Sequence, residues 1–115
     1  MSSEKHRQLV DQLLVKTKVG QLEWRETAEP DTFQVSFPNY SVMITQQRHN
    51  PRFPIHIVSI LNSGGRRVDT FSDESAAWEA SDKPQLTELY QHARRQALGA
   101  DKALEDILNA LKDPR

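Results

Sequence analysis

The chain has 115 residues, a net charge of -1, 37% hydrophobic and 27% charged residues, and no cysteine. That length suits one domain with one core. The composition excludes disulfides, thiolate metal sites and cysteine nucleophiles, and no apolar run approaches the roughly 20 residues of a membrane-spanning helix.

Residues 3–18 read as a helix with Leu9, Val10, Leu13 and Leu14 as its apolar edge. Ser2 or Ser3 suits its N-cap, and Gly20 suits the left-handed residue that ends it. The period then changes to alternation. Leu22 and Trp24 oppose Gln21, Glu23 and Arg25, which predicts a half-buried strand. Thr27–Asp31 is a connection. Phe33, Val35 and Phe37 mark a second strand, and Pro38-Asn39 fits the two centre positions of a tight turn. Tyr40, Val42 and Ile44 resume the alternation, so strands two and three form a hairpin.

His49–Pro54 is a loop. Ile55–Leu61 is apolar on both faces and predicts a central or doubly covered strand. Asn62-Ser63-Gly64-Gly65 is a hairpin turn, and Arg66–Phe71 returns as an edge strand. Ser72 could cap a short helix that buries Ala77 and Trp78. Asp82 and Gln85 have capping-box spacing, with Pro84 in the first turn.

The last third carries a long apolar stripe at helical spacing, running from Leu86 through Leu89, Tyr90, Ala93, Ala97, Ala100, Leu104, Ile107 and Leu108 to Leu111. Two structures fit it. An unbroken helix over 85–112 is about 42 Å long, longer than the roughly 30–35 Å diameter of a domain of this size, so it overhangs and calls for a partner chain. Alternatively Gly99 ends one helix and Asp101 caps the next. Arg94 and Arg95 then lie at a helix C-terminus, and Glu105 and Asp106 near an N-terminus, which suits both dipoles.

Chemistry-bearing motifs are sparse. There is no HExxH pairing, calcium loop, phosphate-binding loop or nucleophile elbow. His49 and His56 flank the proline loop and, with Asp69 or Asp73, supply the most that a small hydrolase or metal enzyme has to work with. Arg66-Arg67 and Arg94-Arg95 are the two basic pairs available to nucleic acid, a modest endowment for gripping phosphates. The aromatic residues Trp24, Phe33, Phe37, Tyr40 and Phe53 fall on or beside the strands, where alternating spacing makes them core.

The segments KTKVGQLEW (16–24), FPNYSVMI (37–44), RVDTFSD (67–73) and LTELYQHARRQALGADKALEDILNAL (86–111) resemble a loose group of small bacterial proteins. That group has a helix, a K-T-x-x-G-x-L-x-W entry strand, a short sheet and an L-Y-x-x-A-R-R helix. The resemblance implies an architecture and carries over no catalytic residue.

The expected fold is α+β: an N-terminal helix, an antiparallel meander of about five strands, and C-terminal helices packed on one sheet face. The expected function is a non-enzymatic interaction or regulatory module of the bacterial cytosol. It needs no cofactor or metal and joins a second copy, as a homo-oligomer (a dimer), or a partner protein through Leu104, Ile107, Leu108 and Leu111. A cytoplasmic location follows from the missing cysteines and from a start, Met1–Arg7, that lacks the apolar stretch of a signal peptide. Two alternatives remain open: a nucleic-acid binder using the arginine pairs, and an enzyme built around His49, His56 and Asp69.

Overall fold

A computed structural model describes residues 2–48, 54–73 and 83–112. The order is α1 (Ser2–Lys18), β1 (Arg25–Glu26), β2 (Thr32–Ser36), β3 (Tyr40–Gln47), β4 (Ile55–Asn62), β5 (Arg67–Ser72), α2 (Lys83–Leu98) and α3 (Ala100–Lys112). The strands form one antiparallel sheet in sequence order, β1-β2-β3-β4-β5. This is the expected α+β class.

α1 ends as its sequence predicts. Gly20 takes φ 77°; its amide reaches the Thr17 carbonyl at 3.1 Å, and the next amide, Gln21, reaches Lys16 at 2.9 Å. That pair of bonds satisfies the last carbonyls of the helix. The chain then runs into the sheet, but only Arg25 and Glu26 pair with β2. The expected strand over Gln21–Arg25 is cut back because a side chain takes over the ladder: Gln96 of α2 accepts a hydrogen bond from the Trp24 amide at 2.8 Å and donates to the Leu22 carbonyl at 2.6 Å.

Both helices that follow the hydrophobic pattern lie on one face of the sheet. Val10, Leu13 and Leu14 of α1 and Leu86, Leu89, Tyr90 and Ala93 of α2 are buried against Trp24, Phe33, Val42, Ile44, Val58 and Phe71. The opposite face is half-buried at Met43, Ile57 and Leu61. β4 is therefore next to the edge, buried on the helix face and largely covered on the other, where Ser59 is 5% exposed.

β4 and β5 are out of simple register. Ile60 pairs with Asp69 while Leu61 pairs with Arg67, so Val68 is an extra residue, a bulge. The bulge moves every later residue of β5 to the other face. Phe71 opposes Val58 and joins the core, and Asp69 comes up beside α1.

α2 begins at Lys83 with Pro84 in its first turn, where a missing amide does no harm. It ends at Gly99, whose φ is 70° and whose amide bonds the Gln96 carbonyl at 3.1 Å. Of the two structures the stripe allowed, the break is the one observed. α2 meets the expectation of a helix packed on the sheet; α3 stands away from it. No α3 residue is buried, and the molecule measures 59 × 35 × 26 Å. Its radius of gyration of 15.9 Å exceeds the ~13 Å usual for this chain length. Ala77, Trp78 and Asp82 lie outside the described residues, and Ser72 closes β5.

Candidate functional site: an uncovered helix

α3 is a short amphipathic helix with its apolar side turned to water. Leu104, Ile107, Leu108 and Leu111 are 52%, 57%, 55% and 76% exposed. Their spacing places them on one side of the helix. The apolar stripe is thus divided at Gly99 into a covered half and an uncovered one. Leu86, Leu89, Tyr90 and Ala93 are between 0 and 3% exposed, whereas residues 101–112 are all exposed. Leu98, at 44%, adds to the apolar surface at the junction.

Charge organises the rest of α3. Arg95, in the last turn of α2, donates to Asp101, in the first turn of α3, at 3.0 Å. The pair bridges the break with a cation at one helix end and an anion at the next helix start, which both dipoles favour. Lys102 donates to Asp106 at 2.9 Å. Glu105 and Lys112 complete the polar side.

The groups considered for catalysis are sorted differently from the expected trio. His56 is 1% exposed. Its backbone amide and its Nδ1 both donate to Asp73, to Oδ1 and Oδ2 respectively, each at 3.1 Å. Its Nε2 accepts from the Gln46 amide at 3.2 Å, while Gln46 Oε1 accepts from Arg48 at 3.0 Å. The Tyr90 ring lies 5.3 Å from the imidazole. Burial raises the Tyr90 phenol above its ordinary value, and the nearby Asp31 carboxylate adds to the effect. A base needs an open path to a substrate proton, and both ring nitrogens of His56 are occupied within the protein. The pair ties the start of β4 to the end of β5.

Asp69 belongs elsewhere. It lies opposite Ile60, four residues or about 13 Å along the sheet from His56. It accepts from His6 Nε2 at 2.8 Å. The His6 ring stacks on Phe71, with centroids 4.0 Å apart. That hydrogen bond holds the Asp69 carboxyl below the usual aspartate range, with partial burial opposing it and the Thr70 amide and the His6 charge assisting. His56 and Asp69 are therefore not brought together, and His49 lies outside the described residues. No group of three potential metal ligands occurs among the described residues.

The arginine pairs are also separated. Arg67 opens β5 at one sheet edge, with Arg66 immediately before it. Arg94 lines an open groove of about 330 Å³ at the other edge, beside Glu26, Glu29 and Asp31, and Arg95 is engaged by Asp101. A larger open groove, about 630 Å³, runs between the Gln21–Glu23 segment and the β2–β3 turn, lined by Arg25, Gln34 and Phe37 among others. Neither groove is lined by His56 or Asp69.

No helix of the described residues is long and apolar enough to cross a membrane. No protein family, no curated protein and no solved structure matches this chain.

Proposed function

We propose that this chain is a non-enzymatic interaction module of the bacterial cytosol, an accessory or regulatory protein that self-associates as a homodimer through α3. One observation carries the reading: four large aliphatic side chains at helical spacing, each more than half exposed, on a helix that, among the described residues, packs mainly against the end of α2. Fully burying such a side chain is worth about 1.5–3 kcal/mol, so at these exposures the four offer about 4–7 kcal/mol per chain. Association itself costs about 4–15 kcal/mol. The balance favours a reversible dimer over a permanent one.

The test is Leu108→Glu, followed by sedimentation equilibrium and circular dichroism. The wild-type chain shows a concentration-dependent mass above the monomer, and the variant stays monomeric with unchanged helix content. A monomeric wild type, or a variant whose mass does not fall, overturns the proposal.

A second reading, an anion or single-stranded nucleic-acid surface, has one specific support. Tyr40 pairs with Asn62 across β3 and β4, so the β2–β3 and β4–β5 turns share an end of the sheet. That end gathers Phe37 and Tyr40, 39% and 53% exposed, with the exposed Arg66 and Arg67. Aromatic stacking beside guanidinium groups is the chemistry that holds unpaired bases. Retention of a labelled single strand at low salt, lost on R66E/R67E, supports this reading; absence of retention ends it.

A further inference from the structure

Resting on the reading of α3 as the contact surface, we infer that its occupant is the α3 of a second copy, laid antiparallel across a two-fold axis, with Leu104 against the partner's Leu111 and Ile107 against the partner's Leu108.

The apolar ridge of α3 is symmetric. The intervals between Leu104, Ile107, Leu108 and Leu111 are three, one and three residues, the same from either end. A two-fold axis passing between Ile107 and Leu108 maps the ridge onto itself. That is the self-complementarity an isologous contact requires, in which residue i meets j and j meets i.

Charge favours the same orientation. The first half of α3 carries Asp101, Glu105 and Asp106 against Lys102, which Asp106 already holds. The far end carries Lys112. Parallel pairing sets carboxylates beside carboxylates and aligns the two dipoles head to head. Antiparallel pairing brings the partner's Lys112 toward the acidic half and opposes the dipoles.

Size sets the strength. A 13-residue helix is about 20 Å long. Two such helices alone fall short of the ~1,200 Å² that stable specific interfaces bury. The dimer therefore dissociates on dilution, and Leu98 is the nearest apolar residue able to enlarge it.

Because the natural chain has no cysteine, directed cross-linking tests the register cleanly. Full-length Leu104→Cys and Leu111→Cys chains, one carrying a tag that separates the two by size, are oxidised alone and mixed. The substituted sites are exposed, and circular dichroism checks that both variants keep their helices. In the antiparallel register the two cysteines of a mixed pair face each other. Like cysteines are offset by seven residues, about 10 Å, beyond the reach of a disulfide. The mixture therefore forms cross-linked heterodimer at least about tenfold faster than either variant forms homodimer. Faster homodimer formation by either variant overturns the antiparallel register in favour of a parallel one. A wild type that is dimeric by mass, with no cross-linking in any sample, places the contact elsewhere and overturns the register while leaving the module reading intact. A monomeric wild type overturns both.

Discussion

The hydroxyl of Thr17 is the hydrogen-bond partner of the Trp24 indole. Trp24 Nε1 donates to Thr17 Oγ1 at 2.9 Å, and Thr17 in turn donates to the Leu13 carbonyl. Trp24 is 2% exposed and Thr17 7%, so water cannot replace either bond. Thr17→Val keeps the shape and orphans the indole N–H. It should cost about 1–3 kcal/mol, read as a lower urea midpoint with an unchanged slope. A midpoint within error of wild type would show that the indole finds another acceptor.

Gln96 gives a sharper test, because its two ends do different jobs. Gln96→Glu keeps an acceptor for the Trp24 amide but sets a carboxylate oxygen against the Leu22 carbonyl. Gln96→Leu removes both bonds. Each should speed hydrogen exchange at Trp24 or its neighbours, and the loss of stability should be about 1–2 kcal/mol for Gln96→Leu. Protection at Trp24 should survive better in Gln96→Glu than in Gln96→Leu. Equal exchange in all three proteins would mean the side chain does not hold the segment in solution.

The His6–Asp69 contact gives stability a pH dependence of known sign. The folded Asp69 carboxyl titrates below its ordinary value of 3.8. Its contribution is therefore complete above that value and is lost as pH falls through the lowered one. With Asp69 nearly half exposed, the contribution is below about 1 kcal/mol. Urea midpoints of wild type and Asp69→Asn should differ at pH 5–6 and converge only as pH falls below 3.8 and through the lowered value. Parallel curves across that range would refute the contact.

Gly99→Ala tests what sets the direction of α3. A side chain at φ 70° is disfavoured by about 1–2 kcal/mol, and a Cβ there meets nothing within 4 Å, so only the backbone resists. Little besides the Arg95–Asp101 pair opposes a swing of α3 into line with α2. The variant should keep its unfolding midpoint while its radius of gyration by solution scattering rises above the wild-type value. An unchanged radius with a lower midpoint would mean the break is held rigidly.

Local signals carried most of the fold. The helix stop at Gly20, the Pro38-Asn39 turn, the Asn62–Gly65 turn and the helix start around Pro84 are all short-range chemistry, and each appears where its residues require. What the sequence hid was long-range. Counting back from the Asn62–Arg66 turn without a bulge sets His56 opposite Ser72; the extra residue at Val68 brings Asp73 there instead. The same slip delivers Phe71 to the core and Asp69 to His6. Nothing in RRVDTFSD announces a bulge, so the choice between Asp69 and Asp73 as the partner of His56 could not be read. Gln96 was hidden for a related reason: a polar residue on a helix reveals its backbone partners only once the helix is placed. The division of the C-terminal stripe was half legible. Gly99 and its flanking charges marked the break, but periodicity cannot say which half of a ridge finds cover.

That division has an evolutionary corollary. Since among the described residues the core draws on nothing after Ala97, a chain ending at Leu98 should melt as the whole protein does at concentrations where the protein is monomeric. Substitutions along the final helix then escape selection for foldability altogether, and answer only to whichever molecule they meet.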